Sequence, residues 1–344
     1  MISLRRYESL KKCVISGYYG FGNLGDEAIL FALVRSLRSR RPDMEITVLS
    51  GNCRHTSTNY GVNAVNRWNP VAVWRALRGS DGLISGGGSL LQDVTGLASL
   101  VYYLGVMWLA VLAGRPFWVH AQGIGPIRSR LGRFLVRLTL GRARGISVRD
   151  PGSKEELVSM GLAPDRIDVV PDPVLTLGPE AADREAGRQV LARAGVPSTA
   201  GKKIAGISVR EWRGTSGYKR AVADAADRLV EAGYVVVFLP FQFEPDLKVC
   251  QEVMEMMRQP SFLVDEPLSV TGMLSVIACL DLVIGMRLHA LIMARAVGVP
   301  VVGISYDPKI DRFLATVGMV PAMSVEEPDG QKLAEAAIKF FDAE

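Results

Sequence analysis

The chain has 344 residues, too many for one ordinary hydrophobic core and enough for two domains. With 49% apolar and 22% charged residues, it cannot be a disordered or fibrous chain. The net charge is +5, with the densest basic patch at Arg128, Arg130, Arg133, Arg137, Arg142, Arg144 and Arg149. Aromatic side chains do not interleave that patch, so nucleic acid is not an expected partner; a solvated basic helix face is the plain reading of most of these arginines. Cys13, Cys53, Cys250 and Cys279 form no CxxC pair, so neither a disulfide framework nor a metal site is expected. No apolar stretch separates the basic residues Arg5, Arg6, Lys11 and Lys12 from the first strand, so no signal peptide is expected.

Lys12–Tyr18 is a short apolar run that predicts a first strand. Gly20, Gly22, Asn23, Gly25 and Asp26 follow, and then a helix over Ala28–Arg38. Glycines at such a turn let the backbone approach a ligand, and the helix start offers N–H groups to an anion. The spacing is not that of a Walker loop and meets the dinucleotide-binding fingerprint only loosely. Capping and turn formation are the plain roles for Asn23 and Asp26. Glu45–Ser50 predicts a second strand, Val62–Val65 a strand-like piece and Asn69–Leu77 a helix. The strand Asp81–Ser85 runs into Gly86, Gly87, Gly88 and Ser89. Three glycines at a strand end mean close backbone approach, either to a ligand or to a neighbouring loop.

Leu97–Gly114 carries no charge over 18 residues, the lower edge of a membrane span. Its two glycines and its place in a β-α rhythm favour a helix buried against a sheet, and leave open a contact with a lipid surface. Pro116–Ala121 predicts a strand ending near His120, Gly123–Pro126 a turn and Arg130–Thr139 a basic helix. The strand Gly145–Val148 ends in Arg149 and Asp150, and a helix covers Gly152–Met160. Ile167–Val174 closes the first half, whose order implies a parallel sheet with helices on both faces.

The rhythm lapses after Gly178 into a charged helix, Ala182–Ala194, and a polar stretch. The expected domains are therefore 1–178 and 203–344, joined by a linker region at 179–202, with the terminal helix free to cross back. Beyond the linker, Lys203–Arg210 and Tyr234–Pro240 predict strands, the second with Gln242 at its end. Lys219–Ala232, Asp246–Arg258 and Ser269–Ile277 predict helices. The apolar run Ala278–Ile284 predicts a buried strand, and Leu291–Ala296 a helix. Arg287 and His289 lie between them, at the edge where ligands bind in open α/β sheets. A cation, a titratable imidazole and free helix N–H groups there suit an anion. The plain readings are an arginine paired with a carboxylate such as Asp281 and a histidine hydrogen-bonded within the structure. Pro300–Tyr306 is expected to be the last strand, with Lys309 just beyond it. Gly330–Ala343 predicts a terminal helix.

The expected architecture is α/β, with two Rossmann-like domains facing a cleft. Strand-end loops in both halves would line it: Gly20–Asp26, Gly86–Asp93, Gly123–Pro126, Arg149–Asp150, Arg210, Gln242, Arg287–His289 and Lys309. His120 and Lys309 are second-tier candidates, with burial beside Trp118 the plain reading of His120. His55 lies in a polar loop and is expected to be solvated.

Taken together and in order, GYYGFGNLGDEAIL, LISGGGSLLQD, QGIGP, SVRD, PDPV and GMRLHALIMA resemble the polysaccharide pyruvyl transferase family. Within it they are most similar to the CsaB type, which acts on bacterial secondary cell-wall polysaccharide. The resemblance runs from Gly17 to about Lys309. It implies a GT-B-like fold and transfer of the enolpyruvyl unit of phosphoenolpyruvate to a sugar as a pyruvyl ketal. The implied acceptor is an amino sugar, N-acetylmannosamine, on a lipid-linked or nucleotide-linked precursor. The family's Arg-x-His matches Arg287 and His289, and its phosphoenolpyruvate-binding arginine matches Arg149. The chemistry fits these residue types. Arginine forks recognise carboxylate and phosphate, and an acid such as His289 can protonate the methylene carbon before a sugar hydroxyl attacks. Arg287 and His289 are thus the catalytic candidates. Arg149, Arg210, Lys309, Gly20, Asn23, Asp26, Gly87 and Gly88 are the substrate-binding ones. No cofactor or metal is implied. The expected location is the cytoplasm, where a lipid-linked acceptor would bring the enzyme to the inner face of the membrane. Two other readings stand beside this one: a GT-B glycosyltransferase using a nucleotide sugar, and a non-catalytic basic protein docking to anionic lipid or nucleic acid.

Overall fold

The computed structural model describes residues 7, 9–94, 96–197 and 201–342. It comprises two compact units that divide between Pro173 and Val174.

The first unit is built on β1 (Lys12–Tyr19), β2 (Glu45–Ser50), β3 (Asn63–Asn66), β4 (Gly82–Ser85), β5 (Gly88–Leu91), β6 (Phe117–Ile124), β7 (Gly145–Val148) and β8 (Ile167–Val169). All pairs are parallel, in the order β3-β2-β1-β4-β6-β7-β8, with β5 added against β6. Successive strand residues feed opposite faces. Cys13, Ile15, Val48 and Ile84 pack into one core layer, and Val14, Leu49 and Leu83 into the other. That two-sided burial is why these strands read as continuous apolar runs. The helix Leu97–Leu112 buries Leu100, Tyr103, Leu104, Val106, Met107 and Ala110 in the second layer. Among the described residues, no helix is long and apolar enough to cross a membrane.

The second unit is built on β9 (Ile204–Ser208), β10 (Val235–Phe238), β11 (Phe262–Leu263), β12 (Leu282–Gly285), β13 (Val301–Ser305) and β14 (Met323–Ser324). They are parallel in the order β11-β10-β9-β12-β13-β14. Both units therefore follow the doubly wound order in which the chain reverses direction across the sheet. The switch points lie between β1 and β4, and between β9 and β12.

Several elements differ from the sequence reading. Pro300–Tyr306 is not the last strand, because β14 pairs with β13 beyond it. β11 and β14 hold two residues each, too few to show a period. The turn after Gly87 contains β5. Cys53–Tyr60 is a helix rather than a loop, capped by Asn52 and ended by Gly61 at φ 61°; with only Thr56 and Tyr60 buried, it has no apolar stripe to read. His55 on that helix is exposed, as expected. Pro308–Thr316 is a further helix, started by Asp307.

The stretch read as a linker carries the helix Arg184–Arg193, which packs on Val270–Ile277 within the second unit. The Asp183 N–H donates to Ser275 Oγ at 2.8 Å. The terminal helix Gly330–Asp342 packs on Gly217–Glu231, also within the second unit. Gly187 is where the first of these helix pairs touches: a β-carbon there would lie 2.1 Å from the Ser275 carbonyl oxygen. Backbone cannot retreat as a flexible side chain can. Gly187→Ala is therefore expected to destabilise the fold by about 1–3 kcal/mol, read as a lower midpoint in thermal or urea unfolding. An unchanged midpoint would mean that this helix is not docked there.

Candidate functional site

In the second unit, β9, β12 and β13 end side by side, and each delivers charged or polar residues to the same edge. Arg287 sits in extended backbone at the start of the helix Leu288–Ala296, and its side chain is buried. Its Nε donates to Asp246 Oδ2 at 2.9 Å, and its Nη2 donates to Asp246 Oδ1 and, at 3.3 Å, to Gln242 Oε1. Asp246 is only 1% exposed, and its Oδ2 also accepts the backbone N–H groups of Phe241 (3.1 Å) and Gln242 (2.9 Å). One carboxylate thus fixes the guanidinium, the end of the β10 segment and the start of the helix Phe243–Met256. Asp281, the partner expected for Arg287, instead accepts the Ile204 N–H at 2.7 Å. The fork that could grip a ligand in bidentate fashion is taken up by Asp246, leaving Nη1 outside that pair.

His289 follows two residues later in the same first turn, half-buried with its Nε2 shielded from solvent. Ser208, at the end of β9, is fully buried, and no described residue hydrogen-bonds its hydroxyl. A buried polar group without a partner at a switch point suits a ligand atom.

Tyr306 is the residue the sequence reading passed over. It ends the β13 segment, is 9% exposed, and accepts a hydrogen bond from Arg210 Nη1 at 3.1 Å. The Arg210 guanidinium lies 5.1 Å and Lys309 Nζ 5.0 Å from its ring centroid, and Trp212 packs edge-on at 4.7 Å. Burial pushes the phenol upward, but Lys309, Arg210 and Arg287 outweigh it and hold the pKa below its usual 10. Arg210, Arg287 and Lys309 are thereby brought around Tyr306, at the edge where the helix carrying His289 begins. The rule that singled out Arg287, a polar residue closing an apolar strand, applies equally to Tyr306.

In the first unit, Arg149 is buried at the end of β7. Its Nη2 donates to Ser89 Oγ at 2.9 Å, its Nη1 lies 3.4 Å from Asp172 Oδ2, and its Nε lies 3.9 Å from Asp150 Oδ2. A β-carbon on Gly123 would lie 2.7 Å from the Arg149 guanidinium, which explains the glycine in QGIGP. The glycines after β4 make their close approach to the chain's own side chains. β-Carbons at Gly86, Gly87 and Gly88 would lie 2.2 Å from Tyr19 Oη, 2.9 Å from Ile29 and 3.0 Å from Asp26 Oδ1. Asn23 caps the helix Leu24–Arg40 by accepting the Gly25 N–H at 3.1 Å. The Gly20 N–H donates to Glu27 Oε1 at 2.7 Å, and at φ 79° its backbone lies close against Asn52. Asp26 and Arg149 therefore meet the Gly86–Ser89 turn, at Gly88 and Ser89, while Asn23 and Gly20 hold the shape of the turn before the helix Leu24–Arg40.

His120 lies within β6 rather than at its end. It is 5% exposed, and its Nδ1 shares a 3.1 Å hydrogen bond with Tyr7, so it belongs to the core. Arg67 was not anticipated. It is buried at the β1 side of the switch point, donates to the Gly17 carbonyl at 2.8 Å, and is ringed by Phe21, Trp68, Tyr102 and Tyr103 with Tyr102 nearest at 4.3 Å.

Two parallel doubly wound units with charged strand ends define the GT-B type of fold. The backbone resembles that of S. aureus MnaA, solved with UDP (TM-score 0.66, 12% identity, covering 96% of this chain and 88% of that one). It also resembles Anabaena HepE, solved with UDP-glucose (TM-score 0.62, 13% identity, covering 96% and 90%). In sequence, the chain is 22% identical to the amylovoran biosynthesis protein AmsJ of Erwinia amylovora, over 95% of this chain and 90% of that protein. Residues 23–308 match the polysaccharide pyruvyl transferase family, and the chain belongs to that family. Membership makes it a transferase of polysaccharide biosynthesis.

The Tyr306 environment has a direct readout. Burial pushes Tyr19, Tyr60, Tyr102, Tyr103 and Tyr218 upward, so Tyr306 should ionise well apart from them. A folded-state pKa below the unfolded value of about 10 adds stability that is complete above the unfolded value and lost as pH falls through the folded one. Phenolate absorbance should show a tyrosine titrating below the ordinary range in the wild type and absent in Tyr306→Phe. Identical titrations would contradict the assignment.

Proposed function

We propose that the protein transfers the enolpyruvyl unit of phosphoenolpyruvate to an amino sugar of a secondary cell-wall polysaccharide precursor, as the CsaB type does. The acceptor in this reading is N-acetylmannosamine on a lipid carrier, met at the inner face of the cytoplasmic membrane. The observation that carries the proposal is the gathering of Arg210, Arg287 and Lys309 around Tyr306, at the strand edge where the helix that carries His289 begins, in a chain of this family.

The chemistry follows from those groups. Phosphoenolpyruvate brings a carboxylate and a phosphate, and the cations Arg210, Lys309 and Arg287 near Tyr306 suit that charge. Arg210 is held by the Tyr306 hydroxyl, Lys309 by the Tyr306 ring and Asp307, and Arg287 by buried Asp246. Arg149 is proposed as a further anion-binding residue. His289 in its protonated form delivers a proton to the methylene carbon, leaving an oxocarbenium-like centre. A sugar hydroxyl attacks that centre and its proton passes back to the imidazole; a second hydroxyl then displaces phosphate to close the ketal, its proton leaving with the phosphate. The His289 imidazole returns to its neutral form as its proton moves to carbon.

Removing the acid should leave binding and abolish chemistry. His289→Ala is expected to lower phosphate release from phosphoenolpyruvate by about 100- to 10,000-fold, while the ligand still raises the melting temperature. Full turnover in that variant would remove His289 from its role. Release of a nucleoside diphosphate from a nucleotide sugar, with phosphoenolpyruvate inert, would replace the whole reading with glycosyl transfer.

A further inference from the structure

One surface of the first unit is used by nothing described so far. From Val94 to Arg149 the sequence has eight arginines and no aspartate or glutamate. That exceeds the net charge of +5 for the whole chain, so the remainder is net acidic. The stretch folds into the helices Leu97–Leu112 and Arg130–Leu140 flanking β6. The two helices run side by side in the same sense. A β-carbon on Gly132 would sit 3.1 Å from Leu100, and Trp108 Nε1 donates to Thr139 Oγ1 at 3.0 Å.

The helix Arg130–Leu140 turns Val136, Thr139 and Leu140 inward. Its outer face carries Leu131, Phe134 and Leu138, spaced as one stripe. Leu131 is 58% exposed and Phe134 59%, and Val101 on the adjoining helix is 51% exposed. Such large apolar side chains, grouped and in water, mark a docking face. Arg130, Arg133 and Arg137 form a second stripe beside the first. Arg133 is tied to Glu156 and Ser159, whereas Arg128, Arg130, Arg137 and Arg142 are exposed.

We propose that this face seats the protein on an anionic lipid bilayer, with Leu131, Phe134 and Leu138 entering the interface and the arginines meeting lipid phosphates. An apolar stripe bordered by cations, on a helix with no acidic residue, has the charge and amphipathicity of a helix lying in that interface. A second copy of the chain fits less well, since a two-fold contact would set arginines against arginines. Nucleic acid fits less well because the face offers a single ring, Phe134, between two leucines and no run of stacking rings. The inference rests on this surface alone and holds whichever donor the enzyme uses.

Vesicle flotation tests it. Wild-type protein should float with phosphatidylcholine vesicles containing phosphatidylglycerol at low salt, and should bind phosphatidylcholine alone about tenfold or more weakly. Raising the salt should release it in part, because the apolar stripe is not screened. Leu131→Ser with Phe134→Ser should weaken flotation by about tenfold with an unchanged melting temperature, since both side chains are exposed. Arg128→Glu with Arg130→Glu should weaken it further as salt falls. Failure to float, equal binding to both vesicles, or indifference to the serine pair would overturn the proposal. So would a dimer in light scattering that the serine pair dissolves, because the face would then belong to a second copy.

Discussion

The second unit depends on the contact between Arg287 and Asp246. Asp246 is nearly inaccessible and receives four N–H groups, two from the guanidinium and two from backbone. A buried carboxylate in that state costs little only while all its partners are present; removing one partner of such a pair typically costs about 3–5 kcal/mol. The pair locks the helix after β10 to the turn after β12. It thereby sets where the helix Leu288–Ala296 begins and where His289 is presented. Arg287 is thus a positioning residue first, with only part of its guanidinium left for a ligand.

The first unit solves the same problem with similar means. Arg149 is buried at a strand end, with Asp172, Asp150 and Ser89 around it. Gly123 is bare where the guanidinium passes, and Gly86–Gly88 are bare where Tyr19, Ile29 and Asp26 pass. In both units, then, a cation is desolvated at the carboxyl edge of a parallel sheet and held by acids from neighbouring segments. Tyr306 adds a hydroxyl and a ring to the edge of the second unit. It accepts from Arg210 and lies under Lys309, whose ammonium also pairs with Asp307 at 3.7 Å, so among the described residues Arg210 is the cation there not tied to a carboxylate.

Much of this was legible in the sequence, because buried parallel strands leave short apolar runs and their ends can be counted. That is how Arg287, His289, Arg210 and Lys309 came to be placed at one edge. The partner of Arg287 was not legible. Asp246 lies 41 residues away in sequence, in a helix whose docking no local pattern records, whereas Asp281 merely sits nearby. The glycine run after β4 could signal a ligand or a packed loop, and its close approach to Tyr19, Ile29 and Asp26 was not readable from local pattern. Tyr306 was hidden in plain view as the last residue of an apolar run. β11 and β14 were too short to carry a period, and the helix at Cys53 too polar.

The cations around Tyr306 are the proposed seat of phosphoenolpyruvate. Arg287→Ala is a poor probe, because it strands Asp246 and would unsettle the fold whatever the ligand. Lys309→Ala and Arg210→Ala leave that pair intact. The most direct measurement is therefore the melting temperature of wild type and these two variants with millimolar phosphoenolpyruvate or UDP. A ligand that binds the folded chain raises its midpoint by mass action. Phosphoenolpyruvate should raise the midpoint of the wild type, and that rise should shrink in both variants. No rise with phosphoenolpyruvate, or an equal rise in all three proteins, would contradict it.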